Sequence, residues 1–285
     1  MSNNSILNKS NSESGHQEST CMAAIQMTAG AEVSVNLREA ERLINLAVMK
    51  GAKLIVLPEY FCIMGMKDTD KVLVREEEGS GPIQEFLSET AKSYAIWLVG
   101  SVPLASSQPD KMKNSCLVYD DSGKQIARYD KIHLFNFNFN EEHYAESKTI
   151  EAGNKVVTME SPFGRIGLSI CYDLRFPELY RSMGEVDIIL APSAFTLTTG
   201  KAHWETLIRA RAIENLAYVI SPAQSGCHIN GRKTYGGSMI VDPWGVVIDH
   251  LPKGPGVVLA DINQNHQKNL RNILPALKHR TLHFC

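Results

Sequence analysis

Apolar residues recur along this chain in two alternating rhythms. After the short strand-like run "MAAIQM", Leu37, Ala40, Leu43, Ile44, Ala47 and Val48 fall at helical spacing, and Gly51 stands where that helix would stop. "KLIVL" then reads as a strand buried on both faces. The pairing repeats, with helical "IQEFLSETAKSYA" leading into "IWLVGSV", and this alternation predicts an α/β fold.

The middle of the chain changes rhythm. "SCLVYDDSGKQIARY" places a hairpin turn at Asp120 to Gly123, and "VVTMESPFGRIGLSI" places another at Ser161 to Gly164. "AHWETLIRARAIENLA" reads as an amphipathic helix before the strand "YVIS", and "SMIVDPWGVVIDH" is a further hairpin around Asp242 to Gly245. Mixed sheets in one long domain account for the pattern.

Three buried-strand runs end alike, in "LIVLPEY", "IILAPSA" and "YVISPAQ", each with a proline that cannot continue a ladder. Ligand sites in open α/β sheets gather beyond the carboxyl ends of strands, so Glu59, Ser193 and Ala194 are candidates by location alone.

Composition narrows the function classes. The 285 residues carry 29 basic and 31 acidic side chains spread through the chain, without a basic block suited to nucleic acid. The longest apolar runs fall far below the roughly 20 residues that span a bilayer, which argues against a membrane protein. Residues 1–20 lack the apolar core and cleavage pattern of a secretory signal and read as a mobile polar tail before a domain over 21–285. The six cysteines are irregularly spaced with no C-x-x-C pair, so neither a zinc site nor a disulfide framework is expected; a reducing cytoplasm is the natural reading.

One cysteine stands out by position. In "RIGLSIC", Ile166, Leu168 and Ile170 share one strand face, while Gly167, Ser169 and Cys171 share the other. Pro177 and Glu178 suit the first turn of a following helix, so "CYDLRF" is a strand-to-helix connection akin to a nucleophile elbow, without the G-x-S-x-G signature. On this segment alone Cys171 is either a nucleophile or one more buried apolar residue. Glu59, at a strand end, is either a working acid or a solvated loop carboxylate, and Lys131 in "YDKIHLF" is by default a surface lysine. His133, two residues beyond Lys131, leaves a cysteine–histidine site open. His203 and Trp204 read as packing residues of their helix, and Cys227–His228 as too isolated for a metal site.

Taken together and in order, "LIVLPEY", "YDKIHLF" and "LSICYDLRFPELYR" resemble the three motifs of the nitrilase superfamily of carbon–nitrogen hydrolases, a likeness running from about Ala23 to Arg280. The resemblance implies an αββα sandwich, a homodimer or larger homo-oligomer, no cofactor, and a Glu59–Lys131–Cys171 triad. "HYAESKTIEAG" matches the segment carrying a second glutamate, here Glu146, which by resemblance would hold Lys131 in place.

The chemistry fits these residue types. An amide carbon is a poor electrophile and an amine a poor leaving group unless protonated, so hydrolysis calls for a nucleophile, a proton relay and an oxyanion stabiliser. Cys171, Glu59 and Lys131 supply the three, with a backbone N–H near Tyr172 as a second oxyanion donor. The flanks "SAFTLTTGKAHWETLIRARAIEN" and "AQSGCHINGRKTYGGSMIVDPWG" look most like the branch acting on deaminated glutathione, with the ω-amidase branch acting on 2-oxoglutaramate close behind. Both are small carboxylate-bearing amides. Arg175 is suited to bind such a carboxylate bidentately, or else pairs with Asp173 or a helix-end carbonyl. Phe195 and Thr199, on the connection after "IILAPSA", would form the pocket's other wall. A binding or scaffold subunit is the non-enzymatic alternative, although all three triad residue types are present.

Overall fold

A computed structural model describes residues 19–140 and 142–282. Most of the expected polar tail lies outside them. Its last two residues do not belong to a tail: Ser19 and Thr20 pair with Asn263 and Ile262, because the chain's last strand offers an antiparallel partner that extends the first strand outward.

The first half runs β1 (Ser19–Gln26), α1 (Val33–Met49), β2 (Leu54–Val56), α2 (Asp70–Leu73), α3 (Pro82–Tyr94), β3 (Trp97–Ala105), β4 (Met112–Tyr119) and β5 (Gln125–Asp130). The hairpin β6 (Asn136–Phe139) and β7 (Glu142–Ala145) follows. The second half runs β8 (Thr158–Met159), β9 (Ile166–Leu168), α4 (Pro177–Ser182), β10 (Ile188–Leu190), α5 (Leu197–Asn215) and β11 (Tyr218–Ser221). It continues with β12 (Ser225–Cys227), β13 (Lys233–Tyr235), β14 (Ser238–Val241), β15 (Val247–Leu251), β16 (Gly256–Asn263) and α6 (Gln264–Ile273).

Two six-stranded sheets result, ordered β16-β1-β2-β3-β4-β5 and β15-β14-β11-β10-β9-β8. Each is mixed as expected: β1, β2 and β3 are parallel, as are β9, β10 and β11, and the other pairings are antiparallel. Strand alternation divides the side chains between layers. Met22, Ala24, Leu54 and Val56 meet Ile166, Leu168 and Ile220 between the sheets. Ala23, Ile25, Ile55 and Leu57 face Ala40, Leu43 and Ile44 of α1 and Leu87 of α3. The far side of the second sheet carries α4 and α5, which completes an αββα sandwich.

The small-residue face of β9 has a packing cause. A Cβ at Gly167 would come within 2.5 Å of Met183 Sδ, and Tyr180 of α4 donates its hydroxyl to Ser169 Oγ at 3.0 Å. Helix α4 therefore lies close on this strand, and only small residues fit beneath it.

Candidate active site

The site grows from strand ends that share one edge of the sandwich. Leu57, Pro58 and Glu59 leave β2, Lys131 follows β5, and Cys171 follows β9. β5 runs antiparallel to β4 and β4 antiparallel to β3, so β5 points the same way as β2 and β3. The two sheets thus deliver a glutamate, a lysine and a cysteine to one end.

Lys131 is the hub. Its side chain is fully buried, and Nζ meets Glu59 Oε1 at 2.8 Å and Glu146 Oε2 at 2.8 Å. Nζ also lies 3.1 Å from Glu146 Oε1, so its hydrogen bonds all go to the two carboxylates. Burial opposes the ammonium charge, but Glu146 and Glu59 outweigh it and hold the lysine above its ordinary range. Burial likewise opposes charge on Glu146, and Lys131 reverses this, holding the carboxyl below its ordinary value. Glu146 also accepts from Tyr60 OH at 2.9 Å and from the Phe135 N–H at 2.8 Å.

Glu59 is 1% exposed. Asn114 Nδ2 donates to the same Oε1 that meets Lys131, at 2.9 Å, while Oε2 is buried without a hydrogen-bond partner among the described residues. Gln224, three residues beyond β11, fixes the Glu59 carbonyl at 3.1 Å. One carboxylate oxygen is anchored and the other is left over, the arrangement a proton relay needs.

Cys171 is buried and opens a 3-10 turn over Cys171–Arg175, with φ +50. A non-glycine residue in the left-handed region costs about 1–3 kcal/mol and persists only where its surroundings impose it. Here the imposing contacts are its own N–H on Pro192 O at 3.0 Å and Asp173, which accepts from the Ile170 N–H at 2.8 Å and from Tyr129 OH at 2.7 Å. Burial pushes the thiol well above its ordinary range, Glu59 pushes it further, and Lys131 and the Ala194 N–H pull the other way. The resting group is a neutral thiol, so its activation calls for a base.

A cavity opens over this constellation. Six of the residues singled out from the sequence line it: Glu146, Cys171, Tyr172, Arg175, Phe195 and Thr199. Glu59 and Lys131 sit behind its lining. Ala194, singled out by strand-end position, also lines it, whereas Ser193 is buried and turns its hydroxyl to Ala191 O. Phe135, Thr196 and Arg232 complete the lining without having been expected. Thr199 belongs to the first turn of α5 rather than to the preceding connection, because Thr196 Oγ1 caps the Thr199 N–H at 3.2 Å and starts the helix early.

Other assignments resolve differently. His133 Nδ1 meets Asp173 Oδ1 at 2.7 Å and its ring stacks on Phe176 at 3.7 Å, so its hydrogen bonding serves the elbow. Arg175 pairs not with Asp173 but with His203 Nδ1, at 3.1 Å, since the four donors on Asp173 come from Ile170, Tyr129 and His133. His203 is accordingly exposed at the helix surface, whereas Trp204 is fully buried and donates to Gly237 O at 2.7 Å. His228 is buried between Ala29 O and Thr234 Oγ1, each at 2.8 Å. Among the described residues no group of three or more His, Cys, Asp or Glu side chains is placed to hold a metal ion.

A two-sheet sandwich with a glutamate, lysine and cysteine gathered at its strand ends defines a hydrolase of carbon–nitrogen bonds in its architecture and residue types. Residues 21–272 match the carbon-nitrogen hydrolase family, and the chain belongs to that family. A deaminated glutathione amidase of Synechocystis sp. is 43% identical over 265 residues, covering 90% of this chain and 97% of that protein. The crystal structure of the Caenorhabditis elegans NitFhit protein is similar with a TM-score of 0.84 at 36% identity, covering 92% of this chain and 65% of that longer one. Nit3 of Saccharomyces cerevisiae, a member of branch 10 of the nitrilase superfamily, gives a TM-score of 0.82 at 29% identity, covering 93% of this chain and 97% of that one.

Proposed function

We propose that this protein is a thiol amidase that cleaves deaminated glutathione through a thioester on Cys171. The observation that carries the mechanism is the buried Glu59–Lys131–Glu146 network beside a neutral thiol at the cavity floor. As the sulfur attacks the amide carbon, its proton passes to the free oxygen of Glu59. The carbonyl oxygen gathers negative charge, which the positive charge of Lys131 and the Tyr172 N–H stabilise; one such donor is worth about 3 kcal/mol. The C–N bond breaks as Glu59 returns the proton to nitrogen, and the amine departs. Water then gives a proton to Glu59 as its oxygen attacks the thioester, and the C–S bond breaks as Glu59 passes that proton to the departing sulfur, which releases the acid and restores the thiol. Glu146 keeps Lys131 aimed and charged.

The substrate assignment rests on the named activity of the Synechocystis relative and on the cavity's chemistry. Arg175 lines the cavity beside the nucleophile, and its contact with His203 involves no carboxylate, which leaves its charge available for the carboxylate on the acyl side of the amide. Phe195 and Thr199 form the facing wall. The five described cysteines are all free, in keeping with a reducing, cytoplasmic setting. Ile213, Trp244 and Val246 leave apolar surface exposed, which a second copy of the chain would cover in a homo-oligomer.

Hydrolysis of a small amide panel, followed without relying on ammonia, tests this reading. The expected order of kcat/KM is deaminated glutathione, then 2-oxoglutaramate, then nitriles, with Arg175→Ala raising KM for both acids by roughly tenfold. 2-Oxoglutaramate in first place would reassign the protein to ω-amidase chemistry, and uncharged amides in first place would remove the carboxylate argument.

A further inference from the structure

Arg232 lines the same cavity as Cys171 and Arg175 but comes from a separate element of the chain. It rides on the tight turn between β12 and β13, where Gly231 has φ +81 and the Arg232 N–H donates to Asn230 Oδ1 at 2.9 Å. Asn230 in turn donates to Gly65 O at 2.8 Å, so the turn is tied to the body of the protein. The guanidinium lies over the Tyr144 ring, with Cζ 4.9 Å from its centroid, and Nη2 donates to Ala194 O at 2.9 Å. Neither contact neutralises its charge. Nε is buried without a hydrogen-bond partner among the described residues. A preorganised cation with a donor to spare, facing a cavity, fits an anion.

Its location says which anion. The departing nitrogen must face Glu59 to receive a proton, so the leaving group lies on the glutamate side of the cavity. Arg232 lies on that same side: the Tyr144 ring beneath it packs on Phe135 at 5.5 Å, the Phe135 N–H donates to Glu146 Oε2 at 2.8 Å, and Lys131 joins Glu146 to Glu59. We infer that Arg232 binds a carboxylate carried by the leaving amine, so that the cavity selects amides flanked by a carboxylate on each side of the scissile bond. Arg175 and Arg232 then grip the acyl end and the amine end, respectively. This rests on the proposed reaction and adds the feature that separates deaminated glutathione, whose leaving dipeptide is an acid, from 2-oxoglutaramate, whose leaving group is ammonia.

The test compares wild type, Arg232→Gln and Arg232→Lys on deaminated glutathione and 2-oxoglutaramate. The ratio of the two kcat/KM values is expected to fall at least about tenfold in Arg232→Gln, mainly through KM, with partial recovery in Arg232→Lys. A ratio that stays within about threefold of wild type would overturn the inference, since a merely structural role would lower both substrates alike. A second arm needs no turnover: cysteinylglycine binding to Cys171→Ala, measured by calorimetry, is expected to weaken about tenfold when Arg232→Gln is added. Equal binding would again overturn it. If wild type proves inactive on deaminated glutathione while the dipeptide still binds in an Arg232-dependent way, the proposed substrate fails and the subsite stands.

Discussion

Cys116 and Cys171 are both buried thiols of one hydrophobic cluster, yet they occupy different kinds of place. Cys116 lies within β4, and burial alone pushes its thiol up to about 12. Cys171 lies three residues beyond the end of β9, in a left-handed backbone conformation, with Glu59, Lys131 and Glu146 acting on its charge. Burial is common to both and says nothing about chemistry. What distinguishes Cys171 is a strand end of one sheet on which charged side chains from the other sheet and from the β6–β7 hairpin converge.

The largest expected effect breaks this pair apart directly. Cys171→Ala should lower turnover by at least about a thousandfold with the fold unchanged by circular dichroism, because the side chain contributes chemistry more than core volume. Cys116→Ala should do the opposite, leaving kcat within about twofold and lowering stability by roughly 1 kcal/mol. Equal damage to activity from both would mean that Cys171 acts through packing.

Next in size is the contrast between the hub and its neighbour. Lys131→Met should reduce kcat by at least about a hundredfold, whereas His133→Asn, which loses a bond to Asp173 and the stacking on Phe176, should cost far less. Removing Lys131 also strands buried carboxylates, at a cost of roughly 3–5 kcal/mol, so kcat is to be read on the folded fraction and repeated with Glu146→Gln as partner. Steady-state kinetics with the reverse ranking would restore a cysteine–histidine site.

A smaller effect concerns pH. The Glu146 carboxyl is lowered on folding, so its stabilisation is present above the unfolded value of about 4.3 and is lost as pH falls through the folded value. Lys131 is raised, so its stabilisation is present below about 10.4 and is lost as pH rises through its folded value. Between about pH 5 and 8 denaturation midpoints should therefore show little dependence on this pair, with a loss in stronger acid. In Lys131→Met the sign should reverse, stability rising as pH falls from 8 to 5, because the buried Glu146 then gains by taking a proton. A flat profile in both proteins would place the pair in solvent-like surroundings.

Much of this organisation was legible in the residues. Helices α1 and α3 announce themselves by apolar spacing. The turns at Asp120–Gly123, Ser161–Gly164 and Asp242–Gly245 each end in a glycine at positive φ. The catalytic candidates needed more than pattern, since Glu59 and Lys131 each look ordinary until the motifs are read together. The β6–β7 hairpin went unpredicted because "NFNFNEEHYA" alternates aromatic residues with polar ones on a surface ribbon that carries little core. Arg232 was invisible for a related reason: a polar turn has no period, and only the tertiary path from β12 to β13 carries its guanidinium to a cavity more than sixty residues from Cys171 in sequence. The signal that was available was the glycine before it.

The central claim is that Cys171 is the nucleophile and that Glu59 activates it. Exposed Cys227 supplies an internal control for that claim. Treatment with iodoacetamide near neutral pH, followed by peptide mapping and residual activity, should show inactivation tracking the label on the Cys171 peptide, and Glu59→Gln should slow labelling there while leaving the rate at Cys227 unchanged. Inactivation that tracks another cysteine, or equal labelling of Cys171 with and without the Glu59 carboxylate, would contradict the account.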